Sequence, residues 1–218
     1  MRKRIFKILG IVFIILLVGL PAIDLIIVRL KTNQIVQSLQ NSENFILRLN
    51  SIETQKINEL LLVEDPGFYN HKGIDFKSPG AGWTTISQGL VKLLYFKKFQ
   101  PGISKIRLIL ITRFVFDTSV SKDTQLELFY NYAYLGNDDK GNEISGFLNA
   151  SKFYFKKDFS NLSNDEYLSL IAMLINPNKY RIDKYPLRNA ERLMRMKKLI
   201  NGNCKPNNWK DCELEGCI

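Results

Sequence analysis

The longest apolar run lies at the start of the chain. Ile8 to Ile23 carries no charge, and apolar character resumes from Leu25 to Val28 after Asp24. A spanning helix needs about 17–25 apolar residues, so 8–28 is expected to be a transmembrane anchor. Lys7 and Asp24 fall where their side chains can reach the two interfaces. Arg2, Lys3, Arg4 and Lys7 precede the run and few cations follow it, which predicts a cytoplasmic segment at 1–7 and an extracytoplasmic remainder. A cleaved signal peptide is the competing reading. It fits less well, because its apolar region is usually about 7–15 residues and Val18 to Ala22 offers no A-x-A site.

Beyond the anchor, 29–50 is polar with scattered apolar residues and reads as a helical connector. Ser51 to Val63 has a helical pattern, opened by the capping chemistry of Ser51 to Thr54. Glu64 to Ala81 contains Pro66, Gly67, Gly73, Pro79 and Gly80 and is predicted to be loop. Helical patterns return at Thr84 to Phe96 and, after Pro101 and Gly102, at Ile103 to Phe116. Ser121 is a candidate N-cap for a helix running through Leu126, Phe129 and Tyr132 toward Gly136. Further helices are predicted at Glu143 to Phe155, Asp165 to Leu174 and Leu187 to Ile200. Strand-like alternation is scarce, so the domain at 51–200 is expected to be mainly α, followed by a polar tail at 201–218.

Charge and cysteines narrow the class. The net charge of +10 suits nucleic acid, anionic lipid or phosphorylated substrates, and equally an ordinary solvated basic face. The apolar N-terminus favours the lipid options. Cys204, Cys212 and Cys217 lie in the tail at spacings poor for a metal site, and the only histidine, His71, is far away. One disulfide in an oxidising compartment would leave one free thiol; the spacing leaves the pairing open.

Two segments carry candidate chemistry. Val63 to Asp75, VEDPGFYNHKGID, places adjacent carboxylates at the end of an apolar helix. Partial burial there would raise a carboxyl pKa toward that of a general base at neutral pH. Taken singly, Glu64 or Asp65 could simply cap the next turn, and His71 could be an ordinary loop residue. Gly82 to Leu90, GWTTISQGL, offers hydroxyls and N–H groups near a helix start, suited to phosphate oxygens or to plain N-capping.

In combination the segments resemble glycosyltransferase family 51, the peptidoglycan transglycosylase domain of class A penicillin-binding proteins and of monofunctional enzymes. Glu64, Asp65, Phe68, His71, Gly73 and Asp75 match that family's first signature, E-D-x-x-F-x-x-H-x-G-x-D. Gly82, Thr85, Ile86 and Gln88 match G-G-S-T-I-T-Q-Q, with Thr84 and Ser87 conservative and Trp83 and Gly89 departing. Leu126 to Gly136 resembles E-L-Y-x-N-x-x-Y-x-G through Glu127, Asn131, Tyr134 and Gly136. Ala150 to Lys157 and Leu162 to Arg192 are similar to the later motifs, so the resemblance covers about 55–200. Two further departures matter. Six residues, 76–81, replace a stretch that is usually a few tens long. The family's second glutamate falls on Ile109 or Leu108, neither of them a carboxylate.

The resemblance implies a lysozyme-like, two-lobed, mainly α glycosyltransferase domain held at the bacterial inner membrane. The implied substrate is lipid II, polymerised into glycan strands by inverting transfer with undecaprenyl pyrophosphate leaving. Glu64 would be the catalytic base. Asp65, Phe68, His71, Asp75, Thr84, Thr85, Gln88, Glu127 and Asn131 would bind substrate, and Lys105, Arg107 and Arg113 would stabilise the pyrophosphate. On a helix Lys105 and Arg113 share a face and Arg107 points elsewhere, so the three need not serve one site. A divalent cation, Mg2+ or Mn2+, is implied with no ligands assigned. Partners would be the membrane and other cell-wall synthases, not nucleic acid. A transpeptidase domain does not fit in 218 residues, so strand cross-linking is expected to fall to a separate protein. The alternative is a catalytically impaired relative that binds lipid II or a synthase as a scaffold.

Overall fold

The structure, a computed structural model, describes residues 4, 6, 7, 10, 15–100 and 102–218. Residues 8, 9 and 11–14 of the expected anchor lie outside the described residues. No helix among the described residues is long and apolar enough to cross a membrane. A π-helical turn, Ile15–Gly19, leads into α1, Leu20–Gln40, so helix continues across the expected boundary between anchor and connector. Val28, Thr32 and Val36 turn inward from α1, whereas Leu20, Ile23, Ile26, Ile27 and Leu30 remain exposed.

The remaining helices are α2 (Thr54–Glu64), α3 (Ile86–Tyr95), α4 (Ile103–Ile111), α5 (Lys122–Tyr132), α6 (Phe147–Phe155), α7 (Asn164–Leu174), α8 (Pro177–Tyr180) and α9 (Pro186–Ile200). A π-helical segment, Thr112–Phe116, extends α4 and joins it to the short turn Asp117–Ser119. Thr85, Ser121 and Ser163 cap α3, α5 and α7, each accepting a backbone N–H from three residues on. Three expectations fail. The capping chemistry expected at Ser51 to Thr54 is absent: Leu49–Ser51 is a separate 3-10 turn, and α2 starts at Thr54 behind Glu53 with no side-chain cap. The helix predicted to run toward Gly136 ends at Tyr132, and Glu143 to Ser145 is strand. Tyr134–Asn137 and Glu143–Ser145 pair as a short antiparallel hairpin, β1 and β2. The two extended segments are too short to show a two-residue period. Gly146 makes the exit possible. Its φ of +81° is open to glycine, and a Cβ there would lie 2.2 Å from the Asn131 carbonyl oxygen.

Helix α7 is the hub of the core. Tyr167, Leu168, Leu170, Ile171, Ala172 and Met173 are all buried, and the helix packs against α2, α6, α8, α9 and β1. Its Tyr167 hydroxyl lies 2.9 Å from that of Tyr130 and donates to the Lys56 carbonyl at 2.6 Å, so the polar ends of the buried aromatics are satisfied. A second packed group joins α3 and α4 to the π-helical segment and α1, with Leu90, Val91, Leu108, Ile111 and Phe116 buried.

The tail is not the loose polar segment that its composition suggests. A disulfide joins Cys204 to Cys217, leaving Cys212 as the free thiol, and Leu214 is fully buried.

Candidate active site

A cleft of about 700 Å3 opens where α2 ends. One wall is the face of α3 and the chain beyond it; Thr85, Gly89, Lys92 and Phe96, at helical spacing, all line it. The ends of α5 and α7 and β1 form the opposite wall, through Tyr132, Tyr134, Leu174 and Ile175 among others. Glu64 and Arg192 also line the cleft, as do Gly82 to Thr84 and Cys212.

Glu64 is the last residue of α2, and only 16% of its side chain reaches solvent. Its Oε1 is buried without a hydrogen-bond partner, and Nη2 of Arg192 stands 3.8 Å away. Burial pushes the Glu64 carboxyl up to about 7; the Arg192 charge pulls down and the neighbouring Asp65 pushes up, both by less. A carboxyl of that pKa, open to a cleft, can take a proton from a hydroxyl near neutral pH.

The adjacent Asp65 faces the other way and is fully buried. Its Oδ1 lies 2.8 Å from Nε2 of His71, and its Oδ2 accepts the N–H of Ile86 at the start of α3 at 2.9 Å. Negative charge at a helix N-terminus is favourable, so Asp65 ties the first motif to the second. Thr85 adds to this joint by donating to the Gly73 carbonyl at 2.7 Å while capping α3. Gln88 closes the capping box by accepting the N–H of Thr85. Phe68 packs in the core with the His71 ring edge-on to it, and Asp75 accepts the N–H groups of Lys77 and Ser78.

The structure therefore brings Glu64, Thr84 and Thr85 to the cleft and places Asp65, Phe68, His71, Asp75 and Gln88 in the packing behind it. Asn131 and Glu127 are also engaged away from the cleft. Asn131 accepts the N–H groups of Ile46 and Leu47 and donates to the Leu47 carbonyl, and Glu127 accepts from Leu49 and pairs with Arg48. Their motif pins the extended segment that follows α1.

The three predicted cations separate. Arg107 makes a two-pronged pair with Asp24 of α1, at 2.7 and 3.0 Å. Arg113 donates to the Lys72 carbonyl at 3.2 Å. Lys105 stands at the cleft margin, donating to the Trp83 carbonyl at 2.7 Å. Lys92 was missed by sequence reasoning, although it falls on the stripe set by Thr85 and Gly89. It donates to the Thr84 hydroxyl at 3.1 Å. Burial, and next the charge of Lys105, lower its pKa to about 8. Two lysines that repel each other beside hydroxyls form a receptive place for phosphate oxygens. Arg192 was placed in the later family motif without a role at the site. Its signal was an arginine on the face of α9 that buries Asn189, Met196 and Leu199.

Asp65, His71 and Asp75 are the one group among the described residues whose donor atoms converge within 4.8 Å. Mg2+ takes oxygen ligands and several waters. Here one donor is an imidazole nitrogen, and three of the four carboxylate oxygens already serve His71 and the N–H groups of Ile86, Lys77 and Ser78. The set fits neither Mg2+ nor Mn2+, which shares the preference for carboxylate and water oxygens.

The model of the family described as "Transglycosylase" matches residues 32–202. The chain belongs to the transglycosylase family. It is 35% identical to penicillin-binding protein 1B of Buchnera aphidicola subsp. Baizongia pistaciae over 137 residues, 57% of this chain and 18% of that protein. It is 31% identical to penicillin-binding protein 1B of Escherichia coli over 157 residues, 66% of this chain and 18% of that protein. It is 29% identical to penicillin-binding protein 1F of Bacillus subtilis over 170 residues, 72% of this chain and 23% of that protein. The chain thus spans about a fifth of the length of these relatives. The family match reaches from α1 to the end of α9 and stops before most of the disulfide-closed tail.

Proposed function

We propose that this transglycosylase domain polymerises lipid II into glycan strands. The 4-hydroxyl of one saccharide attacks the anomeric carbon of another. Its proton passes to Glu64 as the new C–O bond forms, and the bond to undecaprenyl pyrophosphate breaks with inversion. The cationic stretch of the cleft supplies charge for the departing pyrophosphate: Lys92, Lys105 at the margin, and Arg192 deeper in. The observation that carries this reading is the buried Glu64 carboxyl, poised at about 7 in a cleft that also presents Lys92.

Membrane attachment belongs to the same proposal. The exposed apolar residues of α1 are joined by exposed Ile103, Ile106 and Phe114 on the neighbouring α4 and its π-helical extension. The Arg107–Asp24 pair fixes α1 to this face. An apolar face of this kind suits a substrate held in the outer leaflet of the inner membrane, with the domain on its extracytoplasmic side and strand cross-linking done by a transpeptidase.

A specific observation favours a second reading, a lipid II-binding scaffold. Leu108 is buried and apolar, and Ile109 likewise brings no carboxylate to α4. Incubating the detergent-solubilised protein with labelled lipid II decides between the two. Polymer is the expected product. Binding without polymer under any divalent-cation condition would replace the catalytic reading with the scaffold.

A further inference from the structure

Arg192 presents a puzzle of geometry. Its side chain is 1% exposed, its Nε has no hydrogen-bond partner, and a buried carboxylate oxygen of Glu64 lies within reach. A guanidinium and a carboxylate so placed ordinarily close to about 2.7–2.9 Å. Here they stand 3.8 Å apart without a hydrogen bond.

The tail accounts for the gap. Nη1 of Arg192 donates to the Cys212 carbonyl at 2.9 Å and stands 3.8 Å from Oε2 of Glu213. Glu213 is itself fixed: it accepts from Nζ of Lys179 at 2.8 Å and from the Tyr180 hydroxyl. Burial pushes its carboxyl up, but the hydrogen bonds from Lys179 and Tyr180 and the charges of Arg192 and Lys179 outweigh this and hold it below its ordinary value. Glu213 therefore stays ionised and competes with Glu64 for Arg192.

The tail is built to hold that position. Its ends are closed by Cys204–Cys217, and inside the loop the Asp211 carboxylate accepts the N–H groups of Asn207, Glu215 and Gly216 at 2.7–3.0 Å. It docks on the short link between the first two motifs, where Gly80 and Gly82 donate to the carbonyls of Asn208 and Trp209. The contact is close: at Gly82, with φ +69°, a Cβ would lie 3.0 Å from that of Cys212.

We propose that Glu213 and the Cys212 carbonyl are positioning groups that hold Arg192 off Glu64, leaving Glu64 free to act as the base. As a statement about a base, this rests on the proposed function. Arg192 faces Glu64 from α9, the Cys212 thiol faces it from the tail, and Asp65 adjoins it. Lys179, Tyr180, Arg192 and Arg195 surround Glu213.

The test is Glu213→Gln in the full chain, read by carbon-13 NMR titration of the Glu64 carboxyl and by the pH dependence of polymerisation. With its competitor neutralised, Arg192 is expected to close on Glu64. The carboxyl then titrates at lower pH, and the acid limb of the rate profile moves the same way. A one-unit fall would raise the rate at pH 6, relative to its own plateau, by about fivefold. Cys204→Ser/Cys217→Ser, which frees the tail, should move the limb in the same direction. A purely structural tail would lower Tm and leave the titration in place; an unmoved titration, or one displaced to higher pH, overturns the proposal. The NMR titration needs no polymer, so a protein that shows the shift and makes no polymer refutes the glycosyltransferase reading and not this one.

Discussion

Glu64 and Asp65 are neighbours in the chain and opposites in the structure. Around Asp65 every strong acceptor is used: one oxygen meets His71, the other an N–H at the start of α3, and the joint holds the first two motifs together. Around Glu64 the polar groups are left short, with Oε1 and the Nε of Arg192 both buried and unbonded. A buried polar group without a partner is costly, so such a place needs an explanation. Under the proposed function the reason is chemical: the satisfied carboxylate holds the fold, and the unsatisfied one beside the cleft is left to take a proton.

The sharpest way to break this comparison is to neutralise each carboxylate in turn. Glu64→Gln should cut polymerisation by about 10²–10⁴-fold, the usual cost of a lost base, with circular dichroism unchanged. Near-normal polymer from the folded variant would remove Glu64 from its role. Asp65→Ala should act on the fold, since it leaves His71 and the N–H of Ile86 without their buried partner. A loss of about 1–3 kcal/mol for each buried donor left unsatisfied is expected in urea unfolding. An Asp65→Ala protein of wild-type stability that had lost only activity would reverse the assignment.

The cationic side sharpens the same contrast. Lys92→Ala should slow turnover by a loss on the scale of ~2.7–4 kcal/mol in transition-state stabilisation, affecting lipid II binding less. Lys105→Ala should cost less, because Lys105 spends its ammonium on the Trp83 carbonyl at the margin. Equal effects in steady-state kinetics would place both lysines on the leaving group.

The raised carboxyl also has a stability signature. Folded Glu64 keeps its proton up to about pH 7, whereas the unfolded chain releases it near 4.5. The folded state therefore binds more protons between those values, and stability falls as pH rises through that window. Glu64→Gln lacks this penalty, so its advantage in Tm over the wild type should grow from pH 5 to pH 8. The full difference is on the order of 3 kcal/mol, at about 1.4 kcal/mol per pH unit. A constant Tm difference across that range would mean that Glu64 titrates normally. The smallest effect is expected at Arg107, whose pair with Asp24 is more than a third exposed. Arg107→Ala should cost under ~1 kcal/mol in unfolding and leave polymerisation by solubilised protein near normal.

How far the sequence carried depended on the range of the interaction. Caps at Thr85, Ser121 and Ser163 are local chemistry, and α3, α5 and α7 begin where they stand. That a carboxylate at the end of α2 would be partly buried was legible, because an apolar helix ends there at a Pro-Gly break; the choice of Glu64 over Asp65 came from the family resemblance. Asp65 looked just as chemical, and one residue of rotation about the chain sent it into the joint with His71. The β1–β2 hairpin was invisible, since segments of four and three residues carry too little period to read. Lys92 could have been found by following the helical stripe from Thr85.

By itself the sequence determined most of the helices, the caps at Thr85 and Ser121, the family motifs and a carboxylate pair at the end of α2, because capping and helical periodicity act over a few residues. Only the tertiary structure decided which of the two carboxylates faces the cleft, which cysteines pair, and that Arg192 and the tail converge on Glu64. The approach of Arg192 to Glu64 brings together residues more than a hundred positions apart, and the disulfide selects one pairing among cysteines whose spacing left it open. Burial and charge act through space, and neither leaves a mark in local spacing.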